Sequence, residues 1–272
     1  METRFVTLPD ARLAVHVAGR GPLAVLLHGY PLDHRMWLDS MRGPLAQQRR
    51  FAAIDLRGHG QSPWCGDPVH TMDRFADDVA AVIRDLGEAS ADVVGLSMGG
   101  YVALALCAGH GPLVRSLALV DTRAQNDDEA ARAGRDAAIR TVVEQGRAAL
   151  SATMPGKLLA PRAAADPHGL LLRARLQTMI EGLPAETIVA DLRGLRDRPD
   201  RTALLPTIAV PTLVVVGEHD AIAPPAEAAA MAAAIRGARC VVVPGCGHMT
   251  PIEDPAAFAA ALGAFWSGAG RP

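Results

Sequence analysis

The sequence predicts a doubly wound α/β domain built on a mostly parallel sheet and carrying a helical insertion. Short, wholly apolar runs of strand length recur along the chain, and helical periodicity fills the gaps between them. The alternation then stops for roughly 80 residues, too long for an ordinary connection, before it resumes.

Residues 4 to 17 alternate around Leu8-Pro9-Asp10-Ala11 as a β-hairpin does, and Gly19 to Pro22 interrupt the chain before the apolar run Leu23 to Leu27. Further runs follow at Phe51 to Leu56, Asp92 to Leu96, Val114 to Val120, Thr212 to Val216 and Cys240 to Val243, and their continuous apolar character fits parallel strands covered on both faces. Helices are predicted at Met72 to Leu86, with apolar residues at Phe75, Val79, Val82, Ile83 and Leu86, at Gly99 to Ala108, and at Pro225 to Ile235. From 123 to 205 the pattern is helical, punctuated by Pro155, Pro161, Pro167 and Pro184, and opens on the acidic stretch Asn126-Asp127-Asp128-Glu129 that favours a helix N-terminus. The expected organisation is a core of residues 1–122 and 206–272 with a cap, 123–205, inserted after the sixth strand.

Composition narrows the function. The chain has 272 residues, half of them hydrophobic and 21% charged, so one substantial core is expected. A formal net charge of −2 leaves no basic excess for nucleic acid, and the arginines are scattered. No apolar run reaches membrane-span length and Met1-Glu2-Thr3-Arg4-Phe5 lacks a signal-peptide core, so no membrane association and a cytoplasmic location are expected. Cys65, Cys107, Cys240 and Cys246 form no CxxC pair and read as free thiols.

Gly95-Leu96-Ser97-Met98-Gly99-Gly100 joins a strand to a helix, the setting in which a tight turn presents a serine hydroxyl and requires nearly bare neighbours two residues to either side. Ser97 is therefore the predicted nucleophile. In such sites the acid and then the histidine follow the serine in sequence. His248 lies directly beyond a late strand and is the expected general base; Asp220, closing Gly217-Glu218-His219-Asp220, is the expected acid, with Asp121 as its rival. Glu218 and Asp254 are weaker candidates, better read as a solvated charge and a helix cap. The loop His28-Gly29-Tyr30-Pro31 after the third strand places the Tyr30 amide as one oxyanion donor, and the Met98 amide is the second. His28, Met154, Leu158 and Met179 are candidates for contact with substrate, although at helical spacing most apolar cap residues, including Leu159, Ile180, Leu183 and Ile188, belong to cap packing. Arg173 and Arg175 are candidate partners for a substrate carboxylate, and Cys246 reads as a packed thiol.

These blocks, together with Asp55-Leu56-Arg57-Gly58-His59-Gly60-Gln61-Ser62, resemble the α/β-hydrolase superfamily over nearly the whole chain outside the insertion. The resemblance implies the α/β-hydrolase fold, the Ser97, Asp220 and His248 triad, and a structural task for Arg57 and His59 in holding the loop after the fourth strand. Haloalkane dehalogenases and the usual epoxide hydrolases place an aspartate at the elbow, which Ser97 opposes. Asp121-Thr122-Arg123 leading into an acidic, Ala/Arg-rich cap resembles the carboxylesterase and 3-oxoadipate enol-lactonase-like group, so a small ester or lactone is the expected substrate, cleaved with no metal or organic cofactor. Cofactor-free haloperoxidases share the Ser-Met elbow, which keeps perhydrolysis open. Carbon–carbon bond hydrolysis and ligand reception without turnover are the remaining alternatives.

Overall fold

The computed structural model describes residues 1–161 and 166–268. Eight strands form one sheet: β1 (Glu2–Thr7), β2 (Arg12–Gly19), β3 (Leu23–Leu27), β4 (Arg50–Ile54), β5 (Ala91–Leu96), β6 (Val114–Val120), β7 (Thr212–Gly217) and β8 (Arg239–Val243). Their order is β1-β2-β4-β3-β5-β6-β7-β8. The β1–β2 hairpin is antiparallel and closes through the Leu8 amide donating to the Ala11 carbonyl; β2 also runs antiparallel to β4, and every later pairing is parallel. β3 and β5 are buried along their whole length, as covered parallel strands require. β8 departs from that expectation: it is an edge strand with largely exposed residues, so its apolar run reflects strand propensity and not burial.

The helices of the core are α1 (Leu38–Arg42), α2 (Met72–Asp85) and α3 (Met98–His110). Thr71 caps α2 by accepting from the Arg74 amide, and that helix, with Phe75, Val79, Val82 and Ile83 buried, packs on α3. Between β6 and β7 the described residues contain no strand. Four helices fill that stretch: α4 (Glu129–Gln145), α5 (Arg147–Leu158), α6 (Pro167–Glu181) and α7 (Ala185–Arg196). Within the acidic stretch Asp128 is the residue that caps α4, accepting from the Ala131 amide. A short 3₁₀ turn, Thr202–Thr207, leads back into the sheet. The chain ends with α8 (Pro225–Ala234), α9 (Thr250–Glu253) and α10 (Pro255–Gly268), the last two unassigned from sequence.

The order β4-β3-β5 marks the point where successive connections turn to opposite sides of the sheet, and a crevice opens there at the carboxyl ends of the strands. The parallel register brings those ends level: Leu27 pairs with Gly95, Leu96 with Val120, Val120 with Val215 and Gly217 with Val243. The loops bearing His28, Ser97, Asp121, Asp220 and His248 therefore emerge along one edge.

Candidate active site

Ser97 stands between the end of β5 and the first turn of α3 with φ 53° and ψ −114°, a conformation that residues with a Cβ rarely adopt. It is held there by its surroundings. Its amide donates to the Val120 carbonyl at 2.9 Å, and its carbonyl accepts from the Gly100 amide at 2.8 Å and the Thr122 hydroxyl at 2.8 Å. A Cβ on Gly95 would collide with the Gly99 carbonyl, and one on Gly99 with the Leu27 carbonyl, so the turn admits only glycine at both places.

His248 reaches Ser97 from the loop after β8, its Nε2 lying 2.8 Å from Ser97 Oγ and its Nδ1 2.7 Å from Asp220 Oδ2. A carboxylate only accepts, so Nδ1 carries the proton and Nε2 is the bare acceptor facing the serine hydroxyl. Asp220 Oδ1 is fixed in turn by the Ile222 amide at 2.8 Å and the Ala223 amide at 2.9 Å. The His248 amide donates to Leu158 at the end of α5, which ties the histidine loop to the cap. Glu253 reinforces this loop, accepting from the Gly247, Met249 and Ala160 amides, a task with no local motif to announce it.

Asp121 is also buried beneath the site and takes φ 46°, but its carboxylate is engaged by the Gly217 amide, the Thr250 amide and the Thr250 hydroxyl. Burial pushes its pKa up to about 7, against the opposing pull of His248. The structure thus brings Asp220, and not Asp121, to the histidine ring. Glu218 accepts from the Gly245 amide, and Asp254 caps α10 through the Ala257 amide.

A cavity of about 50 Å³ opens over Ser97 and His248, lined also by Tyr30, Met98, Tyr101, Arg135, Met154, Leu158, Leu195 and Ile222. Gly29 packs against Leu96 and Ser97, which sets the Tyr30 segment beside the elbow; the Met98 amide opens α3, where the helix offers it no acceptor. Met154 and Leu158 face this cavity. His28 and Met179, expected to contact substrate, do not line it. His28 is wholly buried: its Nε2 accepts from the Leu56 amide while Nδ1 donates to the Gly29 carbonyl, and burial together with neighbouring His59 lowers its pKa to about 4, so it stays neutral and pins the β3 loop to the end of β4. Met179 is buried in the packing of α6, where the inner face of a cap helix meets its neighbours.

The candidate carboxylate partners are corrected as well. Arg175 pairs with Asp39 at 2.6 Å and also donates to the Arg35 carbonyl, and neither it nor Arg173 lines the cavity; the cavity arginine is Arg135 of α4. Arg57, fully buried, bonds Asp78 through Nε and Nη2, each at 2.8 Å, and also pairs with Asp67, in keeping with a structural role. His59 donates from Nδ1 to the Arg57 carbonyl and from Nε2 to Asp191 of α7. Cys246 is buried beside the histidine loop.

A serine–histidine–aspartate relay at the carboxyl edge of a doubly wound sheet, under a helical cap, places the molecule in the α/β-hydrolase class. The family model "Alpha/beta hydrolase family" matches residues 24–261, and the chain belongs to that family. An AB hydrolase superfamily protein from Bacillus subtilis is 33% identical over 252 residues, covering 89% of this chain and 90% of that protein. A pimeloyl-acyl-carrier-protein methyl ester esterase from Neisseria meningitidis is 30% identical over 271 residues, with 93% of each chain covered. Among solved structures, a thermophilic esterase from Thermogutta terrifontis, with malate bound, matches with TM-score 0.93 at 33% identity over the full length of both chains. The enol-lactonase from Burkholderia xenovorans LB400 matches with TM-score 0.89 at 25% identity, covering 97% of this chain and 100% of that one. Among the described residues no helix is long and apolar enough to cross a membrane.

Proposed function

We propose that the protein is a serine hydrolase that cleaves a small carboxylic ester or lactone through an acyl-enzyme. The observation that carries this reading is the relay from Ser97 Oγ to His248 Nε2 at 2.8 Å and from His248 Nδ1 to Asp220 at 2.7 Å. Ser97 Oγ attacks the carbonyl carbon as its proton passes to His248 Nε2; Asp220 faces the imidazolium that results. The Tyr30 and Met98 amides receive the oxyanion of the tetrahedral intermediate. Collapse expels the alcohol with the proton held on His248, and a water molecule, deprotonated by the same nitrogen, then releases the acid and restores Ser97. The likeness to an esterase and to an enol-lactonase supports the choice of bond.

The test is hydrolysis of p-nitrophenyl esters from acetate to decanoate, together with γ- and δ-lactones, by the parent and by Ser97→Ala. Turnover of short esters or lactones that drops at least about 1,000-fold in the variant is expected. Turnover that survives the substitution would overturn the assignment of the nucleophile.

A further inference from the structure

The cavity wall is mostly apolar, and apart from Ser97 and His248 three polar side chains break it: Arg135, Tyr30 and Tyr101, the last engaged by Arg123. Arg135 donates from Nε to Asp127 Oδ2 at 3.0 Å, and its two terminal nitrogens have no hydrogen bond among the described residues. Asp127 does not balance this charge alone, because Arg198 also binds it, at 2.5 Å to Oδ1. Arg135 and Arg198 thus share the Asp127 carboxylate, and Arg198 also faces Asp200. The second polar group is the Tyr30 phenol. Its residue is only 6% exposed, yet its hydroxyl has no hydrogen-bond partner among the described residues. An unsatisfied buried hydroxyl is costly, and Tyr30 is one of the residues that line the cavity, which points to a partner delivered by a ligand. Burial raises the phenol's pKa well above its ordinary value, so it remains a donor. The Arg135 charge acts on this same hydroxyl. Asp191, the carboxylate that also acts on Tyr30, is itself engaged by His59 and His70.

The Arg135 terminal nitrogens and the Tyr30 hydroxyl are thus two donors, one cationic and one neutral, for which the described residues supply no acceptor. From this juxtaposition we infer that Arg135 and the Tyr30 hydroxyl form a carboxylate-binding subsite, and that the substrate is the half-ester of a short dicarboxylic acid. The cavity is small, at about 50 Å³, and favours a short chain between the two ends. This inference rests on the hydrolase reading for the reacting end, whereas the anion subsite stands on its own residues.

The experiment compares mono-p-nitrophenyl glutarate with p-nitrophenyl pentanoate, a neutral ester of equal chain length, using the parent, Arg135→Gln, Arg135→Lys and Tyr30→Phe. The parent should favour the anionic ester in kcat/KM. Arg135→Gln should lower the anionic-to-neutral ratio by roughly 10- to 100-fold, mainly through KM, as expected for loss of a charge-assisted hydrogen bond, and Arg135→Lys should recover part of it. Tyr30→Phe, which keeps the backbone amide, should lower the ratio by a few fold. A parent that prefers the neutral ester, or an Arg135→Gln enzyme in which both esters fall equally, overturns the subsite. If the parent hydrolyses neither ester, the hydrolase reading fails, and calorimetric binding of free glutarate still decides the subsite. Binding weakened at least 10-fold by Arg135→Gln supports it, and binding that is absent from the parent or unchanged in the variant refutes it.

Discussion

At the scale of single residues, the site depends on a backbone that its own residue disfavours. Ser97 carries a Cβ at φ 53°, and the Val120 carbonyl, the Gly100 amide and the Thr122 hydroxyl hold it there. Strain of this kind costs on the order of 1–3 kcal/mol, and a residue without a Cβ escapes it. Ser97→Ala and Ser97→Gly both abolish the hydroxyl and its bond to His248, so the difference between them isolates the backbone. Glycine gives back part of its advantage through the greater freedom of its unfolded chain. Ser97→Gly should nonetheless be more stable than Ser97→Ala by about 1 kcal/mol in urea denaturation. Equal stabilities, or a more stable alanine variant, would mean that the elbow is not strained at this residue.

At the scale of elements, α7 is fastened to the loops after β4. Asp191 accepts from His59 Nε2 at 2.8 Å and from His70 Nδ1 at 2.7 Å, all three side chains fully buried; the Thr187 hydroxyl donates to the Gly58 carbonyl, and the His70 amide to that of Ala190. Because His59 donates from both ring nitrogens, it is an imidazolium, and Asp191 holds its pKa up against the cost of burial. Asp191→Asn leaves that cation without its counter-charge and turns an amide N–H₂ toward one of two N–H donors. A loss of about 3 kcal/mol or more is expected in urea denaturation, since breaking a buried pair from one side exposes the full desolvation cost. A loss below about 0.5 kcal/mol would show that the network does not secure the cap. His59 and Asp191 lie 132 residues apart, which is why no local pattern reveals their bond. The strands from β3 to β7 were legible because buried parallel strands write continuous apolar runs, and Ser97, Asp220 and His248 were legible as candidates because each lies in the segment that follows an apolar run. Arg135 was not: Val142 is the buried residue of α4, so that helix shows no apolar stripe to reveal which of its arginines faces inward. α10 escaped for a related reason, its alanines giving little contrast between faces, although Asp254 marked its start.

At the scale of the whole molecule, two buried groups at the carboxyl edge of the sheet set opposing dependences of stability on pH. Asp121 has a pKa of about 7 in the fold against 3.8 as an ordinary carboxyl group, so between pH 4 and 7 the folded state holds a proton that the unfolded chain releases. Stability from this group is full below pH 4 and declines as pH rises toward 7. His28 has a pKa of about 4 in the fold against 6.5 ordinarily, so over nearly the same window the unfolded chain holds the extra proton. Its contribution is full above pH 6.5 and is lost as pH falls toward 4. Each acts with a slope of about 1.4 kcal/mol per pH unit where it binds one proton differently, and the two nearly cancel between pH 4.5 and 6.5. Removing one should expose the other. Asp121→Asn should make stability rise with pH across that window, by about 1.4 kcal/mol per unit relative to the parent, whatever constant loss accompanies the altered bonds to Gly217 and Thr250. His28→Gln should tilt the dependence the other way. Urea denaturation at pH 4.5, 5.5 and 6.5 reads these slopes directly. Variants whose slopes match the parent's would show that neither buried group changes its proton on unfolding in this range, and the compensation would be refuted.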